Sequence, residues 1–219
     1  FSHAQDTISK IAFGSCSNQD KPLAIFDHII AHNPDLFIYL GDNIYGDTEN
    51  MCSMRKKYRT LGRNEHYKNL KNSVPIIATW DDHDYGLNDG GLEFEVKRES
   101  QQLFLNFLNV SHDDIRRSRD GIYHTEMIKT LKGDIKFIIL DTRFFRSALS
   151  PSKEPNMRYQ PNKEGEGTLL GSEQWDSFWL LITNQFNWTP LFLLIFYLVI
   201  KSFGWKKGGF VILALIVLV

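Results

Sequence analysis

The most constraining feature of the sequence is a pair of polar clusters, each directly after a short apolar segment. The first cluster, GDNIYGD at residues 41–47, follows the apolar segment 36–40. The second, WDDHDYG at residues 80–86, follows the apolar segment 74–79. The carboxyl ends of parallel strands meet at one edge of a sheet, so oxygen and imidazole groups are expected to converge there. Such groups hold the metal ions that assist hydrolysis of phosphate esters.

The hydrophobic pattern predicts an α/β fold with a largely parallel sheet, in which strands alternate with helices. The predicted strands cover residues 8–13, 36–40, 75–79, 122–128 and 135–140, of which the last two form an antiparallel pair. The predicted helices cover residues 22–32, 48–61, 66–72 and 95–108. Residues 147–168 are rich in Ser, Pro, Asn, Gly and Glu, which predicts a long polar loop.

Charge divides the chain into two unlike parts. All 26 acidic residues lie at or before Asp176, whereas residues 177–219 contain three lysines as their only charged residues. The net charge of −1 gives no reason to expect a nucleic-acid partner. The sequence does not indicate an oligomeric state.

The weakly charged part predicts a membrane hairpin over residues 178–219. Segment 178–200 is uncharged and, at about 1.5 Å per residue, long enough to cross a bilayer as a helix. A basic bend at 201–207 leads into the apolar run 208–219, which is too short to cross alone. A buried pair of soluble helices is the alternative.

The three lysines of the bend favour a cytoplasmic position for the bend and the opposite side for the residues before it. Residues 1–7 are then expected to be the remnant of a secretory signal. The expected localisation is a membrane-associated protein whose catalytic domain is periplasmic or extracellular.

Four residues of the strand-end turns have side chains suited to metal ions. Asp42 can bridge two cations through its two oxygens, and Tyr45 can offer a phenolate to a hard ion such as ferric iron. Cys16 can supply a thiolate, and Asp82 can bind the second ion. Each also has a purely structural explanation, as a turn residue or as core packing.

Two further residues are candidates for handling the substrate. His83 can protonate the leaving oxygen, and Arg143 can bind a phosphate oxygen through its planar guanidinium. The alternatives are a solvated imidazole for His83 and a structural ion pair between Asp141 and Arg143. The carboxylates of Asp47, Asp81 and Asp84 either support the ligands or are purely structural.

Five sequence motifs, in this order, resemble those of the PhoD-like alkaline phosphatases, which belong to the calcineurin-like metallophosphoesterases. The motifs are IAFGSC at 11–16, GDNIYGD at 41–47, WDDHDYG at 80–86, LDTR at 140–143 and LLGSEQW at 169–175. The resemblance covers residues 8–175. It implies an α/β sandwich, hydrolysis of phosphate mono- or diesters, export from the cytoplasm, and an iron ion with calcium nearby.

The resemblance also assigns roles to individual residues. It implies that Cys16, Asp42, Tyr45 and Asp82 are metal ligands and that His83 is catalytic. The family has further metal ligands in a Gly-Asp-x-His-type segment after the Gln-Trp motif, and this sequence has no such segment. The phosphatase domain is therefore expected to be incomplete at its carboxyl end and to have impaired activity.

Residues 176–219 resemble the first membrane segments of the type 2 phosphatidic acid phosphatase family. A natural fusion, a fragment and an assembly error each account for such a junction near residue 175. Two alternative functions follow: an inactive, membrane-anchored domain that binds metal or phosphate, and a truncated membrane lipid phosphatase.

Overall fold

The computed structural model describes residues 8–163, 165–183, 193–195, 197–198 and 200–202. Residues 1–7, where a signal remnant is predicted, lie outside this range, as does most of the predicted membrane hairpin. The chain divides into two compact units, of which the first ends at Gln174 and the second begins at Trp175.

The first unit has an α/β fold, as predicted, built on a three-stranded parallel sheet. Its strands are β1 (Ile11–Gly14), β2 (Leu36–Leu40) and β3 (Ile76–Thr79), with β2 in the centre. The connections contain α1 (Ile25–Ala31), α2 (Met51–Arg63) and α3 (Glu65–Ser73). Parallel neighbours place all three carboxyl ends on one edge, as the sequence predicts.

The elements after β3 complete the first unit. In chain order they are α4 (Asp82–Tyr85), α5 (Lys97–Phe107), a 3₁₀ helix (Ile115–Arg117), β4 (His124–Thr130), β5 (Gly133–Ile139), β6 (Ser150–Pro151) and β7 (Tyr159–Gln160). The predicted antiparallel pairing of β4 with β5 is confirmed, and β6 and β7 form a separate antiparallel pair within the predicted polar loop.

The core lies between one face of the parallel sheet and the helices α1, α2, α3 and α5. Phe37 and Tyr39 of β2 are buried, and their rings meet edge to face with centroids 4.9 Å apart. Helix α2 buries Met54, Tyr58 and Leu61, a spacing that places all three on one side of the helix. The packed core holds the sheet edge in place beneath the polar clusters.

Helix α6 covers Gly171–Thr183. The described residues between 193 and 202 are also helical. Among the residues that the structure describes, no helix is both long enough and apolar enough to cross a bilayer.

Candidate metal centre

The candidate site is formed by the turns at the carboxyl ends of the three parallel strands. Cys16 follows β1, Asp42 follows β2, and Asp82 follows β3. The first two turns are joined by backbone hydrogen bonds, in which the Cys16 amide donates to the Gly41 carbonyl at 3.3 Å and the Ser17 amide donates to the Asp42 carbonyl at 2.9 Å. The sheet therefore brings together residues that are far apart in sequence.

The turn after β2 depends on backbone conformations that side chains usually avoid. Gly41 has a φ of +114°, and Asp42 follows in the left-handed region with a φ of +53°. A Cβ atom at Gly41 would lie 2.5 Å from the Cβ of Asp81, so only glycine allows this turn to pack against the turn after β3. This close approach sets Asp42 beside the residues of α4.

Three side chains form a cluster with the spacing of metal ligands. One ligand atom each from Asp42, Asp82 and His83 lie within 4.8 Å of one another. Oδ1 of Asp42 is buried and has no hydrogen-bond partner among the described residues, whereas Oδ2 lies 3.4 Å from the Cys16 thiol. A buried carboxylate oxygen without a donor is well placed to bind a cation, so these residues fit a metal site.

Tyr45 and Cys16 adjoin this cluster. The Tyr45 and His83 rings lie 4.2 Å apart at 30°. Burial raises the pKa of the Tyr45 phenol to about 12, and its hydrogen bond with Cys16 and the charges of Cys16 and Asp42 act in the same direction. A cation bound beside Asp42 would oppose this effect, since it favours the phenolate form.

His83 is held in place by both its ring and its backbone. Its Nδ1 lies 2.7 Å from Asp47 Oδ1, and its carbonyl accepts from the Gly46 amide at 2.9 Å. Burial lowers the pKa of His83, but the hydrogen bond with Asp47 and the charges of Asp47, Asp42 and Asp82 outweigh burial, and the net pKa is raised. Nε2 is therefore the nitrogen that remains for a ligand or a proton transfer.

Asp82 has the electrostatics of an ionised ligand. Burial raises its pKa, but the Asp89 amide, which donates to Oδ2 at 2.7 Å, and the charge of Arg143 lower it below the ordinary value. Asp42 differs, because burial raises its pKa more than Cys16 and His83 lower it. A bound cation would favour the carboxylate form of both residues.

Arg143 reaches the site from the segment after β5. The Thr79 hydroxyl donates to the Leu140 carbonyl at 2.8 Å, which places the start of this segment beside β3. The Arg143 guanidinium then lies 2.5 Å from Asp81 Oδ1 and 3.8 Å from Asp82 Oδ1. The structural alternative of an Asp141–Arg143 ion pair is wrong, since Asp141 accepts the backbone amide of Arg143 rather than its guanidinium.

Asp141 and Gln174 support the segment that contains Arg143. The carboxylate of Asp141 is buried and accepts hydrogen bonds from the Trp80 indole and from the Ile122, Arg143 and Phe144 amides. The Gln174 amide group accepts from the Asp141 N–H and donates to the Asp141 carbonyl, both at 2.7 Å. The LLGSEQW motif is thus connected to the site by its glutamine.

The structure brings all six candidate residues into one connected group. Contacts link Cys16 to Asp42 and Tyr45, Tyr45 to His83, and Asp82 to Arg143, and the cluster of Asp42, Asp82 and His83 joins these two sets. No disulfide removes the thiol, because Cys16 and Cys52 are both free.

Sequence reasoning missed or left open several supporting residues. Asp47 was left open and is the partner of His83, whereas Asp89 and Gln174 were not singled out as supporting residues. Asp47 lies 36 residues from its partner His83, Asp89 lies 7 residues from Asp82, and Gln174 lies 33 residues from Asp141. In the sequence, only the many acidic residues of 41–47 and 80–86 indicated contacts of this kind.

Comparison with known proteins places this site in a family. The profile of the PhoD-like phosphatases matches residues 11–188, which is most of the chain. The chain belongs to the PhoD-like phosphatase family. Phosphoric ester hydrolysis that depends on metal ions is the activity of this family, and it agrees with the cluster described above.

A solved structure supports the fold. The structure entitled "Structure of PhoD" aligns with 78% of this chain and 38% of its own chain, with a TM-score of 0.57 and 20% sequence identity. The mixed α/β fold of this PhoD-like chain is therefore similar to that of PhoD. No curated protein matches the chain.

Proposed function

We propose that residues 8–175 bind metal ions and hydrolyse phosphate monoesters or diesters. The observation that carries this proposal is the convergence of Asp42, Asp82 and His83, with one oxygen or nitrogen atom of each within 4.8 Å of the others. The two carboxylates are assigned to the metal ions and the imidazole to the substrate. The family match supports the reaction class. The unpartnered Oδ1 of Asp42 supports the presence of a cation.

The donor set suits two ions of different character. Cys16, Tyr45 and Asp42 offer a thiolate, a phenolate and a carboxylate, a combination that suits iron. Asp82 and Asp42 would hold a second, harder ion such as calcium through their carboxylates. Bound metal ions would polarise the phosphate ester and activate water.

The other residues act on the substrate directly or through a neighbour. His83 holds a proton at Nε2 for the leaving oxygen, and Asp47 keeps the ring oriented through Nδ1. Arg143 presents its guanidinium beside Asp82 and stabilises the negative charge of a phosphate oxygen. Because Asp81 already orients the Arg143 side chain, this side chain loses less conformational entropy when substrate binds.

A second candidate function is metal binding without turnover. The chain spans only 38% of the length of the PhoD structure that it matches. The clustered ligands and the proposed α/β sandwich fold suffice for this second function, which needs no hydrolysis of the ester.

Elemental analysis combined with turnover of p-nitrophenyl phosphate separates the two functions. We expect the purified chain to hold about two metal ions and to hydrolyse the ester. Asp42→Asn is expected to lose both properties. Asp27→Asn, which alters an exposed carboxylate paired with His66, is expected to keep both.

Metal binding without hydrolysis would favour the second candidate function. A chain that binds no metal after reconstitution with iron and calcium would contradict both functions. Hydrolysis that survives Asp42→Asn unchanged would contradict the assigned ligand.

We also propose that residues 178–219 associate with a membrane and that the metal centre faces the periplasm or the cell exterior. Segment 178–200 is uncharged. Large apolar side chains are exposed at several of its described positions: Leu180, Leu193, Leu194, Ile195, Tyr197 and Leu198. Flotation of the chain with phospholipid vesicles, lost on replacing Leu193 and Leu194 by Asn, is the expected result, and an unbound chain would contradict it.

A further inference from the structure

A buried carboxylate, Asp84, lies behind the proposed ligands and is not used by the mechanism above. Its side chain is fully buried, and it belongs to α4 directly after His83. Buried carboxylates are costly unless hydrogen-bond donors surround them. The arrangement of its donors indicates what it does.

Asp84 binds the turn after β2 through one group of donors. Oδ1 accepts from the Asp42 amide at 3.2 Å, and Oδ2 accepts from the Asn43 amide at 3.1 Å. The Asn43 side-chain amide also donates to Oδ2 at 2.5 Å. Asn43 donates to the Thr79 carbonyl at 2.8 Å as well, so the same side chain touches the end of β3.

Asp84 binds the turn after β3 at the same time. Oδ1 accepts from the Asp81 amide at 2.7 Å. One carboxylate therefore connects the residue that precedes Asp82 to the backbone of Asp42. The connection spans more than 40 residues of sequence and joins the two turns that supply the clustered carboxylates.

We propose that Asp84 is a positioning residue that sets the spacing between the metal ligands Asp42 and Asp82. The inference rests on the proposed metal-binding function. Burial raises the pKa of Asp84 to about 8, whereas its N–H donors lower it and favour the carboxylate. All four donors are N–H groups, which match the two oxygens of a carboxylate and do not match an amide, since an amide has only one oxygen. Asparagine would direct an NH₂ group at one or more of these donors.

Asp84 also holds the left-handed backbone of Asp42, which has a φ of +53°. A non-glycine residue persists in this region only when surrounding contacts determine it. The amides of Asp42 and Asn43 supply such contacts through Asp84. Loss of this support is expected to let the Asp42 carboxylate move relative to Asp82.

The test compares Asp84→Asn with Asp141→Asn in the full chain. Asp141 is a matched control for metal affinity alone, because it is also fully buried and also accepts four N–H donors. One of these donors is the amide of Arg143, the proposed substrate-binding residue, and none belongs to a proposed metal ligand. Mn²⁺ is the probe, and its affinity is measured by electron paramagnetic resonance. We expect Asp84→Asn to weaken Mn²⁺ binding at least about tenfold and Asp141→Asn to change it less than about twofold.

A second measurement needs no variant. In the unchanged chain, the amides of Asp42, Asn43 and Asp81 are expected to exchange with solvent slowly, because Asp84 accepts all three. Fast exchange of these amides, as fast as that of an exposed loop, would overturn the inference even if the variant does not fold.

The outcomes distinguish this inference from the function on which it rests. Equal Mn²⁺ affinity in Asp84→Asn and the unchanged chain overturns the role of Asp84 and leaves the metal site standing. Equal losses in both variants also overturn it, since they indicate general destabilisation. No Mn²⁺ binding by the unchanged chain overturns the proposed function and this inference with it.

Discussion

At the scale of single residues, the hydrogen bond between Asp47 and His83 favours the protonated form of the proposed acid. Burial alone would lower the pKa of His83, but the hydrogen bond with Asp47 and the charges of Asp47, Asp42 and Asp82 raise it. His83 acts as an acid only while protonated, so a raised pKa extends activity towards higher pH. The pair is therefore expected to set the alkaline limb of the pH profile.

Asp47→Asn is predicted to move that alkaline limb to lower pH and to reduce kcat/KM by about tenfold. The sign follows because removing the anion lowers the pKa of His83, and the protonated form is lost at a lower pH. The measurement is the pH profile of kcat/KM for p-nitrophenyl phosphate. The control is Asp27→Asn, because Asp27 Oδ2 lies equally close to a histidine, 2.7 Å from His66 Nδ1. This variant should leave the pH profile unchanged. An unshifted profile in Asp47→Asn would exclude the proposed role of the pair.

Arg143→Lys is predicted to raise KM about tenfold with a smaller effect on kcat. Lysine keeps the charge but lacks the planar fork that pairs with Asp81 and can bind two phosphate oxygens. Steady-state kinetics with the same ester provide the measurement. Arg98→Lys, in an exposed pair with Asp120, is the control and should not change KM. An unchanged KM in Arg143→Lys would show that this guanidinium does not contact the substrate.

At the scale of elements, the turn after β2 combines two successive residues of positive φ with a close approach to Asp81. Gly41→Ala is predicted to lower the free energy of unfolding by about 2–4 kcal/mol, because the added Cβ meets Asp81 and the backbone has a positive φ. Gly133→Ala is the matched control, since its φ is +133° but nothing lies within 4 Å of the added Cβ.

Urea unfolding measures both variants. We expect Gly133→Ala to lower the free energy of unfolding by about 1 kcal/mol, because this variant introduces backbone strain and no close contact. Equal losses in the two variants would mean that the close approach of the turns after β2 and β3 contributes nothing to stability.

The predicted and observed boundaries of the strands and helices show which of them hydrophobic patterns can predict. The central strand β2 has the predicted limits, because an apolar run lies between Asp35 and Gly41. Helix α2 was predicted over 48–61 but begins at Met51, because the Asn50 side chain accepts from the Ser53 amide and caps the helix there. Thr48 instead accepts the Asn50 amide in the turn before it.

The candidate site was predictable where strand order alone determines it. Cys16, Asp42 and Asp82 follow consecutive parallel strands, so their proximity required no knowledge of side-chain packing. The hydrogen bonds of Asp47 and Asp84 to distant residues were not predictable in this way. They depend on the direction of two side chains, that of Asp47 in a turn with positive φ and that of Asp84 in the short helix α4, and sequence periodicity contains no information on that direction.

At the scale of the whole molecule, His124 makes stability depend on pH. Burial lowers its pKa from 6.5 to about 4, and the charge of Arg116 acts in the same direction. Its Nδ1 lies 2.9 Å from the Ile122 carbonyl, so this nitrogen carries the proton of the neutral ring. As pH falls, the unfolded chain therefore binds a proton before the folded chain does.

As the pH falls from 6.5 to about 4, protonation of His124 in the unfolded chain is predicted to lower the free energy of unfolding by up to about 3 kcal/mol. Above pH 6.5 this residue is expected to cause no loss. His124→Gln removes the titration, and the loss should disappear. Urea unfolding of both proteins across this range provides the measurement. Their difference isolates His124, because all carboxylates are common to both. A difference independent of pH would contradict the buried neutral ring.

The two hydrogen bonds between Gln174 and Asp141 also have a consequence during translation. A ribosome releases the polypeptide from its amino end, so the strand-end turns emerge long before the glutamine that bonds both peptide groups of Asp141. The two hydrogen bonds that hold Asp141 can therefore form only after all three parallel strands and their turns have left the ribosome.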